Sequence, residues 1–529
     1  VSRFAAHLFF MKKEIKYCLF FLGLTAYGLF VNDRFIFSPV YSMYTDNFNA
    51  YGLHTITDPA LFPNDPVANI VRRMAANPGA GDIVFISLYK ALLPLAGLPW
   101  SAKIISIFSV LASAFLIYLA GLRMYAKKNT AFLLSAFHTI YYFSTNSFYF
   151  GEPRTLGALV NSLMLYVLCS EKYILVPFFV PLFYITYPYL AFSAAILAIA
   201  LPIFRRKEIS GRGRAYSFAL LLSAALTILP GIDGITAFFP APAHYKFLSA
   251  FHTPINLKNP IDIIINFILN MNEHSRLYMI FTGLLLAVIL VKLLRNGSRG
   301  FETLYRALGP TLTAFLVGFS ILYFINPLFA ARQLSFIIPS AVALAAGLAS
   351  AGLIGERKSW ALPWLAAILF VSLHPFYNYI WDFSRFRGLY EYIGGLPAGS
   401  LLAGDPESYV YAGVPFYAKR KVFYSDKLGL FAVAFNDYEI KNRREAILRA
   451  LCSGSAAEAG RIASDYGLTH FVVEKQFYSG ERARCRNAGR SEGPYPVYEA
   501  ARANPDFRLK LPEGDIFVIN AEKISSLPG

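Results

Sequence analysis

Long apolar runs separated by short basic clusters set the pattern of this chain. Runs near residues 17–31, 101–121, 129–147, 155–170, 172–187, 189–204, 215–231, 276–295, 306–325, 334–354 and 360–378 predict eleven membrane-spanning helices. Between them fall Lys12, Lys13 and Lys16; Arg123, Lys127 and Lys128; Lys172; Arg205, Arg206, Lys207, Arg212 and Arg214; Lys292, Arg295, Arg299 and Arg306; Arg357 and Lys358. Basic clusters stay on the cytoplasmic side of a membrane, which puts the N-terminus inside and the C-terminus outside. The parity requires that Ile83 to Leu98, an apolar stretch interrupted by Lys90 and Pro94, lies on or dips into the membrane without crossing it.

After Trp381 the hydropathy falls, so the chain divides into a transmembrane part, residues 1–382, and an extracytoplasmic α/β domain, residues 383–529. In the second part Leu389–Gly394, Tyr438–Leu451 and Ala456–Tyr466 read as helices. Ser400–Ala403 and Thr469–Glu474 read as strands, Pro415–Tyr424 as strand material, and Phe507–Asn520 as a terminal hairpin. Two outer segments interrupt the helices, about residues 32–100 and 231–274; loops of that length are usually functional.

Composition agrees with the pattern. With 56% hydrophobic and only 15% charged residues, the chain has too little polar surface for a soluble globule. The net charge of +17 lies mostly before residue 383, in membrane loops, so it implies lipid contact and no nucleic-acid partner. No phosphate-binding glycine loop, dinucleotide fingerprint, nucleophile elbow or paired CxxC occurs, which excludes soluble nucleotide chemistry. Cys452 and Cys485 share the outer domain, where an oxidising compartment permits a bridge without requiring one.

The candidate chemistry sits in the first outer loop. Asp46, between Tyr44 and Phe48, offers a carboxylate to orient or deprotonate a nucleophile and aromatic rings to stack on a sugar; the plainer role is capping a loop helix. His54 could assist it. Asp58 and Asp65 stand in proline-rich turns that favour Asp for backbone reasons, though Asp65 could join Asp46 around a divalent metal. Outside the membrane, Glu152 and Arg154 lie in Gly151–Gly157 (GEPRTLG), and Arg332 is similarly placed. An arginine on the outer side calls for an anionic partner, either a lipid phosphate or a nearby carboxylate. His244 and His252 are too far apart for a compact metal motif.

One helix, a long acidic first outer loop, about ten further helices and an outer α/β domain together resemble the GT-C superfamily of polyprenyl-phosphate-sugar-dependent glycosyltransferases. DPALFPNDP at Asp58–Pro66, GEPRTLG at Gly151–Gly157 and YIGGLPAGSLLAGDP at Tyr392–Pro406 are similar to a bacterial multi-spanning branch of it. The resemblance implies an inverting glycosyltransferase of the bacterial inner membrane, using a polyprenyl-phosphate-linked sugar and an envelope glycan, lipid or protein acceptor. It implies Asp46 as the loop-one base or metal ligand. The sequence departs from the pattern in two ways: that loop has no adjacent Asp-Glu or Glu-Asp pair such as several protein O-mannosyltransferase-like members carry, and the outer domain has no WWDYG-like signature, which argues against an oligosaccharyltransferase reaction. A lipid-linked glycan transporter or polymerase partner and a non-catalytic envelope scaffold remain the alternatives.

Overall fold

The computed structural model describes residues 41–43, 61–62, 83–125, 128, 131–132, 134–135, 138, 153–187, 190–228, 309–311, 313–321, 380–425, 438–478, 485, 495–512 and 514–526. The chain splits into two compact units, one drawn from Val1–Phe37, Pro78–Ala241 and Ser249–Tyr379, the other from Ser38–Asn77, Pro242–Leu248 and Ile380–Gly529.

The first unit is helical. Helix α1 runs without a break over Ile83–Tyr125, 43 residues. The stretch read as a separate membrane-dipping segment is thus continuous with the span that follows it, and Pro94 does not end the helix. A straight helix of that length measures roughly 65 Å, twice a hydrocarbon core of about 30 Å. Within it Ile104–Met124 is, among the described residues, the one helical stretch long and apolar enough to cross a membrane. Shorter helices follow as α2 (Pro153–Cys169), a 3-10 segment (Tyr173–Phe178) leading into α3 (Phe179–Thr186), α4 (Ala191–Phe204) and α5 (Gly213–Ile228). These fall on the runs read at 155–170, 172–187, 189–204 and 215–231 as membrane spans, the last three shorter than their runs and the second divided between a 3-10 segment and an α-helix.

The interior of this unit gathers Val110, Met164, Phe183, Tyr184, Leu197, Tyr216 and Phe315. Outward faces are apolar as well: Ile203 is 79% exposed, Leu221 72% and Phe108 64%. A surface of that kind suits hydrocarbon and would be a liability in water. Gly157 of α2 lets Tyr187 approach so closely that a β-carbon there would lie 2.7 Å from the tyrosine's own. Two hydrogen bonds between helices share one cause. Pro181 and Pro202 lack the N–H that would serve the carbonyls four residues earlier, Pro177 and Ala198. These carbonyls accept from Ser223 Oγ at 2.6 Å and from Tyr216 Oη at 2.7 Å, both on α5, with the Pro177 carbonyl also taking a backbone N–H at the end of the 3-10 segment.

The second unit opens with a short ribbon. Strand β1 (Tyr41–Met43) pairs antiparallel with β2 (Ile380–Asp382), Ser42 facing Trp381. Helix α6 (Arg387–Gly395) and strand β3 (Leu401–Gly404) follow, then the short helices α7 (Tyr409–Ala412) and α8 (Val414–Tyr417) and strand β4 (Lys421–Val422). Most of Pro415–Tyr424, read as strand, is therefore helix and turn. Pro415 sits at the first turn of α8, where its missing N–H costs nothing, and strand pairing starts only at Lys421. Next come α9 (Tyr438–Cys452), α10 (Ala456–Tyr466), β5 (His470–Glu474), α11 (Lys475–Tyr478), α12 (Pro496–Ala503), β6 (Phe507–Leu509), β7 (Ile516–Asn520) and α13 (Ala521–Ser525).

Five of these strands form one sheet in the order β4-β3-β5-β7-β6. β3 runs parallel to both β4 and β5, while β7 is antiparallel to β5 and to β6. Phe471, Val472 and Val473 of β5 are all buried, as a central strand covered on both faces requires. Helix α10 shows its ends in the sequence: Ser455 caps the start through Glu458 N–H, and Gly467 ends it at φ 65°. Cys452 and Cys485 are bridged, with Cα atoms 5.3 Å apart. Phe62, from the first outer loop, is 1% exposed and belongs to this unit's core alongside Phe383 and Tyr390, with Leu61 packed against it.

Candidate functional site

Of the residues singled out from the sequence, Tyr44, Asp46, Phe48, His54, Asp65, Glu152 and Arg332 lie outside the described residues. Arg154 falls in the first turn of α2, with only its backbone described. His138 is buried. Among the described residues no group of three or more His, Cys, Asp or Glu side chains stands ready for a metal.

A recess of about 150 Å³ opens at the carboxyl end of the parallel strands of the second unit. From β3 the chain crosses to β4 on one side and later to β5 on the other, so the reversal of strand order lies between β3 and β5. In open α/β sheets a crevice forms at such a point, outside the strands' carboxyl ends. Four carboxylates line it: Asp405, Glu407, Glu474 and Asp515. Asp405 directly follows β3 and Glu474 ends β5, while Asp515 and Ile516 reach the same edge because β7 runs the other way. Arg385, Ser408, Lys475 and Phe477 complete the wall used here.

Most neighbours are held. Asp405 Oδ1 accepts the Glu407 N–H at 3.0 Å. Ser408 caps α7 by accepting the Tyr411 N–H at 3.2 Å, which leaves its own proton for the Glu474 carboxyl. Glu407 pairs with Arg444 at 3.6 Å, and Asp515 with Arg508 at 2.8 Å. Arg385, exposed at the rim, stands 4.7 Å over the Phe386 ring. Glu474 differs: the residue keeps partial exposure, yet its Oε1 is sealed from solvent and meets no hydrogen-bond donor. Burial pushes its pKa up to about 8, with the nearby Asp405 adding to the rise and the Ser408 hydroxyl opposing it. Tyr478, whose Oη donates to Leu451 O at 3.1 Å, is also raised well above the ordinary phenol range, first by burial and then by Asp405. At neutral pH the recess thus contains a carboxylic acid beside a second carboxyl group.

No protein-family model and no curated protein matches the sequence. Among solved structures, the oligosaccharyltransferase of Archaeoglobus fulgidus in complex with zinc and sulfate superposes with a TM-score of 0.52 at 11% identity, over 94% of this chain and 73% of that one. The chain shares that fold. The archaeal oligosaccharyltransferase AglB from the same organism, with an inhibitory peptide and a dolichol-phosphate, gives 0.50 at 11% identity over 96% of this chain and 75% of that one. A third structure of the enzyme, tethered to an acceptor peptide, gives 0.52 at 10% identity over 95% and 74%. That shared fold agrees with the expectation of a helical first part followed by a C-terminal α/β domain.

None of the carboxylates of the recess was singled out from the sequence. A signal was present: Ser400–Ala403 and Thr469–Glu474 were both read as strands, with Asp405 two residues past the first and Glu474 at the end of the second. What the sequence lacked was the pairing of β3 with β5, across a sequence separation of 68 as measured by the Leu401 to Thr469 hydrogen bond of 3.0 Å.

Proposed function

We propose that this chain is an inverting GT-C-type glycosyltransferase, multi-spanning in a bacterial inner membrane, with its C-terminal α/β domain outside. It would take a sugar from a polyprenyl-phosphate donor and pass it to an envelope glycan, lipid or protein acceptor. The observation that carries this reading is the likeness over nearly the whole chain to structures of an enzyme solved with dolichol-phosphate and with acceptor peptide. A membrane fold of this layout brings a lipid-borne donor and a water-borne acceptor to one interface. The outward apolar face of the helical unit supports the same placement.

In this mechanism the donor's prenyl tail lies between helices and its phosphate is gripped by Arg154 and Arg332, with Glu152 beside them. Asp46 orients or deprotonates the acceptor hydroxyl, flanked by Tyr44, Phe48 and His54, and single displacement inverts the anomeric carbon. Asp46 and Asp65 are the candidate ligands for a divalent metal. The outer domain binds the acceptor. Deletion of the gene is expected to build up a polyprenyl-linked sugar and to remove one sugar from an envelope component, both read by mass spectrometry. Asp46→Asn is expected to reproduce the deletion at normal protein level. An unchanged lipid-linked pool and envelope in the deletion would refute the transferase reading, and full transfer in Asp46→Asn would remove that residue from it.

A further inference from the structure

We infer that the connector between α4 and α5 is a docking surface for anionic phospholipid headgroups, built from Arg206, Lys207, Arg212 and Arg214. The inference rests on the reading of the helical unit as membrane-embedded and not on sugar transfer. A charge bias alone sets orientation and needs no particular shape. This connector has one. Arg206–Ile209 forms a single helical turn and Ser210–Arg212 a 3-10 turn, with Ile209 at their junction buried in the helical core. The turn is closed by the Ile209 N–H, which donates to Arg205 O at 3.0 Å, and by Ser210 Oγ, which donates to Lys207 O at 3.2 Å. Arg205 is engaged within it, paired with Glu208 at 3.4 Å and standing 5.9 Å from the centre of the Tyr173 ring. The other four cations are exposed, and among the described residues none of them meets a carboxylate.

The ligand follows from what lies on either side. Ile203 and Phe204 precede the cations on α4, and Phe218 and Leu221 follow them on α5, all four exposed and apolar. A helix shows such a change from apolar to cationic surface where hydrocarbon gives way to lipid headgroups. A partner must satisfy a cationic rim and an apolar wall together, which an amphiphile with an anionic head does and a free anion or an acidic peptide does not. Guanidinium groups take phosphate oxygens in bidentate pairs. A zwitterionic head brings its own ammonium among the four cations and gains less. Gly211 and Gly213 flank Arg212 with open space, since a β-carbon at either would meet nothing within 4 Å, so a headgroup can lie against bare backbone there.

The test uses the full chain in detergent, with dioleoyl-phosphatidylglycerol and dioleoyl-phosphatidylcholine, which share their tails, and reads bound lipid by native mass spectrometry. A cation near an anionic lipid surface is worth roughly fivefold in binding. Phosphatidylglycerol is therefore expected to bind at least about tenfold more tightly than phosphatidylcholine, and less so as ionic strength rises. Arg206→Gln, Lys207→Gln, Arg212→Gln and Arg214→Gln together should erase the preference. Lys419→Gln, Arg461→Gln and Lys510→Gln, which remove exposed cations from the second unit, should leave it unchanged. Should the fourfold variant fold poorly, Arg212→Gln with Arg214→Gln should lower the preference at least about threefold. Equal binding of both lipids, a preference that survives these variants, or an equal loss in the second-unit control would overturn the site. So would displacement of the lipid by glycerol 3-phosphate or by polyglutamate at equal concentration, which would give the surface to a free anion or to an acidic protein. Carbonate extraction of membranes reads the embedding separately. No arm uses a sugar donor, so failure here leaves the transferase reading to the analysis of the lipid-linked pool.

Discussion

Glu474→Gln should make the protein more stable than the parent at alkaline pH and equal to it near pH 5. The parent side chain has an ordinary value of 4.5 in the unfolded chain and about 8 in the folded one. Folding therefore favours the acid form. That contribution is fully present below pH 4.5 and is lost as pH rises toward 8, at about 1.4 kcal/mol per unit, or roughly 5 kcal/mol in all. Partial exposure of the residue makes this an upper figure. Glutamine cannot ionise but keeps an acceptor for the Ser408 hydroxyl. The stability difference between variant and parent should thus grow steadily from pH 5 to pH 8 and level off above it. Thermal unfolding of the detergent-solubilised chain at a series of pH values measures this, using Trp381 in β2 as a reporter within the outer unit. A difference that stays flat from pH 5 to pH 9 would refute the placement of an unserved carboxyl group at the end of β5.

Tyr216→Phe removes the donor to the Ala198 carbonyl and should cost about 1–3 kcal/mol, while combining it with Pro202→Ala restores a backbone N–H and should recover most of the loss; a double-mutant cycle of thermal stabilities reads the coupling. Cys485→Ala should destabilise the outer unit by about 2–4 kcal/mol, and the intact protein should show its Cys452–Cys485 peptide pair as a cross-linked species in a non-reducing digest. Phe62→Ala should cost about 3–5 kcal/mol in the same unit, seen as faster proteolysis there at an unchanged expression level.

Local chemistry explains which parts of the fold could be read in advance. Helix α10 carries its own punctuation, Ser455 at one end and Gly467 at the other, and its observed bounds equal those read from the sequence. THFVVE is an apolar run short enough to fit only a buried strand. Pro415–Tyr424 misled because its aromatic and β-branched residues favour strands, whereas Pro415 and a tertiary requirement to bury Val414 favour a helical turn. The candidate recess was invisible for a different reason. Asp405 and Glu474 stand at the ends of strands that meet only through the sheet, and no local pattern encodes that meeting. Phe62 likewise shows nothing in its surroundings, LFPNDP, of the core it joins.

The ribbon of β1 with β2 has a consequence for biosynthesis. Residues 41–43 leave the ribosome long before their partner strand at 380–382, roughly 340 residues later, and at about 5–20 residues per second that interval is some tens of seconds. Phe62 waits equally long for the side chains that bury it. Throughout that time the emerging loop has an unpaired strand edge and an exposed aromatic ring, a target for holding chaperones and for proteases on the side of the membrane it reaches. The outer unit can close only once nearly the whole chain has been made, which couples its completion to the success of every preceding helix.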